Sequence, residues 1–202
     1  MKWKYEFWGM QILLIAATPF EIELFTNIYP GVDILITGVG VPSTMYHLQK
    51  RLHQVDYDFV IQAGIAGSFS NDINLGETVL VKQDTFGDLG AEEKRIFTHC
   101  FTSGLINAHE FPFADGWLIN TSEGLLKNAL LKWVKAVTIN KVSDSFLQKF
   151  QLTDAFHPQI ESMEGAALHY VCLQQQIPFV QIRSISNFVG ERDKSKWKMK
   201  EA

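Results

Sequence analysis

The chain of 202 residues has little of what holds small secreted proteins together, since it contains two cysteines and six prolines. Cys100 and Cys172 stand far apart in apolar segments, and neither has a second Cys or a His at metal-ligand spacing. The six histidines form no HxH or HExxH pattern. We therefore expect two buried, reduced thiols, no metal and no disulfide. A chain of this length buries enough apolar surface to fold without either.

Long hydrophobic runs and an excess of basic residues are also missing. No apolar run reaches the roughly 18–20 residues of a membrane span. The net charge of −4 and the pI of about 5.8 disfavour binding to a nucleic-acid backbone. With 47% hydrophobic and 20% charged residues, the chain does not have the composition of a disordered or fibrous protein. We expect a cytoplasmic globular protein with no membrane and no nucleic-acid partner.

The first residues are basic and aromatic, and an apolar run follows at 12–17. This start could pass for a signal peptide, but the run leads into Thr18-Pro19-Phe20-Glu21 with no small-residue cleavage site. The sequence therefore predicts a short leader at 1–9 and one domain over 10–202.

Strand-like and helix-like patterns alternate along that domain. Short apolar or β-branched runs predict strands at 11–17, 33–38, 58–64, 77–82, 136–143 and 178–186. Helical patterns cover 42–54, with Pro42 in the first turn, and 163–176, with Ser162 as N-cap. The alternation predicts a single-domain α/β fold with a central, largely parallel mixed sheet flanked by helices. Ligands of such sheets bind at the carboxyl ends of the strands.

The segments after these strands form an ordered set of motifs. They are ATPFE (17–21), TGVG (37–40), AGIAGSF (63–69), SDSF (143–146), ESMEGAA (161–167) and IRSISN (182–187). The set resembles the nucleoside phosphorylase/nucleosidase superfamily, whose members cleave the N-glycosidic bond of purine nucleosides. FGDLGAE (86–92), ESMEGAA and SNFVGERD (186–193) are most similar to the futalosine hydrolase family of the alternative menaquinone pathway. That family continues with a further helix, so we expect the C-terminal helix here to be incomplete.

The resemblance implies three catalytic residues. Glu21 orients or deprotonates the attacking water, Arg183 helps to hold that water, and Glu164 binds ribose hydroxyls and favours positive charge on the sugar. The charge pattern alone favours simpler interpretations: solvated carboxylates at helix starts for Glu21 and Glu164, and a structural ion pair between Arg183 and Glu21.

Base and sugar contacts are implied in the same way. Met163 would pack on the ribose, Phe146 would stack on the purine, and Ile65, Ala66, Gly67 and Ser186 would lie beside the base. Taken singly, Phe146 is as well explained as a core residue.

Asn187 is the most informative of these positions. An Asn after a strand commonly forms a turn, but adenine-specific nucleosidases carry Asp there. An amide donates to the 6-oxo group or N7 of a purine and cannot protonate it, which favours hypoxanthine over adenine. In an extended strand, Arg183 and Asn187 are predicted to point to one face.

Charge separates hydrolysis from phosphorolysis. Phosphorylases of the superfamily surround phosphate with Arg, whereas the loops at 18–21 and 40–43 contain none and Gln62 stands where Arg is frequent. The sequence therefore predicts a hydrolase that uses water, needs no cofactor and forms a homo-oligomer, as its relatives do. Alternatives are a methylthioadenosine/adenosylhomocysteine nucleosidase, a purine nucleoside phosphorylase and an inactive nucleoside-binding relative.

Overall fold

A computed structural model describes residues 9–23, 25, 32–94, 96–122, 124, 130–142, 144–199 and 201–202. Residues 1–8, most of the predicted leader, lie outside the described residues. In the described part, the strands are β1 Ile12–Ala16, β2 Asp33–Ile36, β3 Phe59–Ser68, β4 Thr78–Asp84, β5 Gly90–Glu93, β6 Ile96–His99, β7 Leu118–Ile119, β8 Lys132–Thr138, β9 Ile160–Ser162 and β10 Phe179–Phe188. The α-helices are α1 Val41–Leu52, α2 Phe146–Phe156 and α3 Gly165–Gln175.

The main sheet closes on itself. Its order is β10-β4-β8-β9-β3-β1-β2, and β10 also pairs with β3, so that five strands form a closed ring from which β1 and β2 extend. β1–β2, β1–β3, β3–β10, β4–β8 and β8–β9 are parallel pairs, whereas β4–β10, β3–β9 and β4–β7 are antiparallel. The predicted α/β class with a largely parallel mixed sheet is confirmed. The sequence patterns did not predict that the sheet closes.

Each ring strand contributes to one apolar cluster. Its buried members are Ala66, Ile73, Val79, Val81, Val134, Ala136, Ile160 and Ile185. A second cluster packs α1 and α3 against β1, β3 and β10, through residues such as Leu13, Leu48 and Leu168. At about 1.5–3 kcal/mol for each fully buried aliphatic side chain, these clusters are the main stabilising contribution of the fold.

Most predicted elements are present with shifted bounds. β3 runs four residues further than predicted, to Ser68, and β8 begins earlier, at Lys132. Ser162 is not the N-cap of α3, because Glu164 takes that position and the Ser162 hydroxyl accepts from Gly165 N at 3.3 Å. The patterns gave no sign of α2, β9 or the β5–β6 hairpin, which are short or lack a clear apolar period.

Candidate active site

Four polar side chains meet around Gly64, in the middle of β3: those of Glu21, Gln62, Glu164 and Arg183. Arg183 of β10 is paired with Gly64 of β3 and is 1% exposed. A Cβ on Gly64 would lie 2.5 Å from Arg183 Nη1 and 2.8 Å from Glu21 Oε1, so a residue without a side chain is required. Sequence analysis grouped Glu21, Glu164 and Arg183 as catalytic residues, and the structure brings all three together here.

Arg183 is held by three acceptors. Nη1 donates to Ile65 O at 3.3 Å and forms an ion pair with Glu164 Oε2 at 3.4 Å, while Nη2 donates to Gln62 Oε1 at 3.1 Å. The partner of Arg183 is therefore Glu164 and not Glu21, which corrects the ion pair suggested by the charge pattern. A buried Arg needs such a partner, because an unpaired buried charge is very costly.

Glu164 stands at the N-terminus of α3 and is 5% exposed. Its second oxygen, Oε1, accepts from Gly40 N at 3.1 Å, so the loop before α1 also holds it. Gly40 has φ of 90°, a left-handed conformation that favours glycine and turns its N–H towards the carboxylate. Both oxygens thus have a partner and still have lone pairs for a sugar hydroxyl.

Glu21 lies in the 3-10 turn Pro19–Ile22 that follows β1 and is half-buried. Oε2 accepts from Thr18 N at 2.9 Å and from Thr18 Oγ1 at 3.2 Å, while Oε1 accepts from Ile65 N at 3.2 Å. The carboxylate is therefore fixed in orientation and remains within reach of solvent, as a general base acting on water must be.

Asn187 lies beyond a bulge in β10. Ile185 pairs with Ala66, but Asn187 pairs with Gly67, so the register shifts by one residue between them. Since side chains alternate along β3, Asn187 and Arg183 lie on opposite faces, and the prediction of a shared face is wrong. A bulge is not visible in the strand pattern.

Ser186 fixes the orientation of the Asn187 amide. The Ser186 hydroxyl donates to Asn187 Oδ1 at 2.8 Å, and Asn187 Nδ2 donates to Phe188 O at 3.1 Å. One lone pair of Oδ1 is therefore taken by Ser186, and within the described ranges the second N–H of Nδ2 has no partner in the protein. Ser186 itself is 1% exposed.

The remaining predicted contacts differ in how far they are exposed to solvent. Phe146 begins α2 and is 82% exposed, with its ring stacked on Phe150 at 6.4 Å between centroids. Met163 is half-buried next to Glu164, and Ala66 is buried in β3. Phe146 is thus not a core residue, and Ser143, in the same motif, lies outside the described residues.

A fully buried polar cluster lies near Arg183, and sequence analysis did not predict it. Asp84 Oδ1 accepts from Thr85 N at 2.8 Å and from Thr138 Oγ1 at 3.0 Å. Burial raises the pKa of Asp84 to about 6, and Thr138, Arg183 and Gln181 oppose the shift. Burial also lowers the pKa of His169 to about 4, although the Leu118 carbonyl and Gln181 oppose this.

Gly165 is required where this cluster meets α3. A Cβ there would collide with Gln181 Nε2 and Asp84 Oδ2. The small residue after Glu164 therefore lets α3 begin close enough for Glu164 to reach Arg183.

A cavity of about 530 Å³ lies elsewhere, between α2 and the β5–β6 hairpin. None of the predicted site residues lines it. We place the candidate site at Gly64 because the buried, mutually bonded charges lie there, whereas the cavity is bordered by exposed side chains such as Glu92 and Phe150.

No group of three or more His, Cys, Asp or Glu side chains that could hold a metal ion occurs among the described residues. No helix in the described segments is long and apolar enough to cross a membrane.

The closed mixed sheet and its cluster of two carboxylates and one arginine define an enzyme of α/β architecture with a site at the strand ends. A family model described as the phosphorylase superfamily matches residues 17–202, and the chain belongs to that superfamily.

Three members of known name show which proteins of the superfamily this chain resembles. The chain is 29% identical to futalosine hydrolase of Thermus thermophilus over 85% of this chain and 76% of that one. It is 25% identical to the 5′-methylthioadenosine/S-adenosylhomocysteine nucleosidase of a Geobacillus species, over 84% and 74%. The crystal structure of the corresponding Colwellia psychrerythraea nucleosidase, in complex with adenine, has a TM-score of 0.77 at 18% identity, covering 96% of this chain and 89% of that one. The predicted enzyme class, an N-glycosyl hydrolase of the nucleosidase type, is confirmed by these relatives.

Proposed function

We propose that this enzyme hydrolyses the N-glycosidic bond of futalosine, releasing hypoxanthine and dehypoxanthinyl futalosine for menaquinone biosynthesis. The choice of hypoxanthine as the base rests on one observation, the fixed orientation of the Asn187 amide. The similarity to futalosine hydrolase supports the same substrate.

The amide selects a 6-oxopurine by its hydrogen-bonding groups. Because the Ser186 hydroxyl fixes the amide through Oδ1, the amide presents an N–H to the ligand. O6 of hypoxanthine accepts this N–H, whereas the 6-amino group of adenine would bring a second donor to the same place and leave both donors unsatisfied. Leaving a buried donor without a partner costs about 1–3 kcal/mol, enough to separate the two bases.

Water is the nucleophile in this proposal. Glu21 takes its proton, and Arg183 holds Glu164 and the Ile65 carbonyl in place around it. The Nη atoms of Arg183 already donate to protein acceptors, so this guanidinium is poorly placed to bind a phosphate dianion. Glu164 accepts from ribose hydroxyls and stabilises positive charge on the sugar in the transition state.

The other assignments complete the proposal. Met163 packs on the ribose, Phe146 stacks on the purine, and the backbone of 65–67 together with Ser186 lies beside the base. The enzyme acts without a cofactor, as a cytoplasmic homo-oligomer.

Turnover of futalosine, inosine and methylthioadenosine, with and without phosphate, tests the proposal. We expect futalosine to be cleaved fastest and at the same rate in both buffers. A ribose 1-phosphate product would show a phosphorylase, and preference for methylthioadenosine would show the adenine-type nucleosidase.

Asn187→Asp tests the basis of base choice. A carboxyl can protonate N7 and accept from an amino group, so the ratio of kcat/KM for futalosine over aminodeoxyfutalosine should fall by about tenfold or more. An unchanged ratio would mean that Asn187 is a turn residue.

A further inference from the structure

One buried carboxyl has no role in the site described above. Glu161 of β9 is 6% exposed, and its residue is paired with Gly67 of β3. Across the described residues, no hydrogen bond or ion pair reaches its carboxyl oxygens. Burying a charged carboxylate without a partner is costly, so burial favours the neutral form of this group.

Glu161 lies beside the Asn187 amide. A Cβ on Gly67 would be 3.4 Å from Asn187 Nδ2 and 3.4 Å from Glu161 Cγ, so both side chains converge over the same glycine. The side chain of Glu161 and the amide with its unused N–H therefore lie side by side over Gly67, next to Val189 Cγ2. A buried carboxyl without a protein partner, beside an amide that keeps one N–H unused, is an arrangement that the polar edge of a ligand can complete.

Two cations approach Glu161 from neighbouring segments. Lys149 comes from α2 and Arg192 from the segment after β10, and both lower the pKa of Glu161. Burial outweighs them and raises this pKa to about 7. Lys149 Nζ donates to Val189 O at 3.2 Å, and Arg192 lies over the Trp197 ring, so both have other contacts. On β8, the residue paired with Glu161 is Val137, which brings no charge.

We propose that Glu161 is the general acid that protonates the leaving purine at N7. This inference rests on the proposed function, because it places the base above Gly67. The oxygen of water forms a bond to C1′ and loses its proton to Glu21. The C1′–N9 bond breaks, its electron pair passes to the purine, and N7 takes the Glu161 proton. Exchange with solvent then returns a proton to Glu161 and removes one from Glu21.

In this proposal, Asn187 binds the base and Glu161 donates the proton, whereas a single Asp in place of Asn187 would do both. The Asn187 amide binds the base edge but has no proton to give, so its presence leaves the departing purine anion without an acid. Glu161 supplies that proton from the adjacent strand. A general acid contributes most when its pKa lies near the working pH.

The first test compares leaving groups. Glu161→Gln keeps the size of the side chain and removes the proton, so turnover of futalosine or inosine should fall by about 10²–10⁴-fold. p-Nitrophenyl β-D-ribofuranoside should be cleaved at nearly the wild-type rate, because nitrophenolate leaves without protonation. Equal losses on both substrates would overturn the acid role and leave Glu161 as a binding or structural residue. Glu93→Gln, on the exposed β5 strand, is the control and should change neither rate.

The second test needs no substrate. Carbon-13 NMR follows the Glu161 carboxyl signal, which is identified by its absence in Glu161→Gln. This signal should titrate near pH 7. A midpoint at the ordinary value of 4.5 would overturn the inference. If inosine is cleaved with dependence on Glu161 while futalosine is not, the proposed substrate is wrong and the acid stands.

Discussion

Gly64 and Gly67 stand three residues apart in β3 and mark two differently built halves of the site. Around Gly64, Arg183 and the carboxylates of Glu21 and Glu164 bond to one another or to backbone groups. Around Gly67, Asn187 has a free N–H and Glu161 has no partner among the described residues.

The difference reflects what each half must do. The charges of Arg183 and Glu164 are buried, and they need fixed partners whether or not substrate is present. Groups that read the base leave hydrogen-bonding capacity unused, because the base itself completes it. We infer that the Gly64 half is preorganised and that the Gly67 half is completed by substrate.

The largest effect is expected from removing the carboxylates of the Gly64 half. Glu21→Gln and Glu164→Gln should each lower kcat by about 10²–10⁴-fold, since each removes a charge assigned to the transition state. Their stabilities should differ: Glu164→Gln leaves Arg183 buried without its counter-charge and should lower Tm, whereas Glu21 is half-buried and should leave Tm nearly unchanged.

Kinetics and thermal unfolding of the same preparations check this, with Glu93→Gln as the exposed control. Turnover near the wild-type value in either variant would contradict its assigned role. Equal Tm changes would contradict the difference in burial.

The two glycines give a direct comparison of the halves. Gly64→Ala puts a methyl group against Arg183 Nη1 and Glu21 Oε1 and should destabilise the enzyme by about 1–3 kcal/mol, with a large loss of kcat. Gly67→Ala meets Val189, Asn187 and Glu161 at 3.2–3.4 Å, where small shifts suffice. It should change stability less and act mainly on KM. Urea unfolding and steady-state kinetics measure both, and a larger stability loss in Gly67→Ala would reverse the comparison.

Much of the Gly64 half was predictable from the sequence. Glu21, Glu164 and Arg183 stand in ordered motifs after predicted strands, and the strands of a parallel sheet bring such segments to one edge. Their pairing was not predictable, because Glu21 and Glu164 are equally plausible partners for Arg183 until the sheet closes.

The Gly67 half depends on features that have no periodic pattern. The bulge after Ile185 moves Asn187 to the other face, and β9 is three residues long. Glu161 lies in that short strand, so its pairing with Gly67 follows from the three-dimensional register alone. Glu161 precedes the predicted helix at 163–176, and nothing in the local sequence signals its burial.

The buried cluster behind the Gly64 half gives a pH-dependent effect on stability. The pKa of Asp84 is 3.8 ordinarily and about 6 in the fold, so the folded state binds more protons between these values. Stability from this group is therefore lost as pH rises from about 4 to about 6. Asp84→Asn should remove this slope and raise the free energy of unfolding above pH 6 by up to about 3 kcal/mol, since the pKa rises from 3.8 to about 6 and each pKa unit corresponds to about 1.4 kcal/mol.

Urea unfolding at several pH values, with the exposed Asp56→Asn as control, measures this slope. A loss of stability in Asp84→Asn at every pH would show that Asp84 is ionised and stabilised by Arg183.

The smallest effect on the fold is expected at Phe146, at the exposed start of α2. Its ring is 82% exposed and contacts Phe150, which is itself 56% exposed, so Phe146→Ala should change the free energy of unfolding by less than about 0.5 kcal/mol. If the ring stacks on the purine, KM for futalosine should rise by about three- to tenfold, in line with an aromatic contact worth about 0.5–1.5 kcal/mol. Phe150→Ala, on the same exposed face of α2, is the matched control and should change neither quantity. Equal rises in KM for both variants would assign the effect to α2 as a whole, and no rise in either would leave the exposed pair without a role in binding the base.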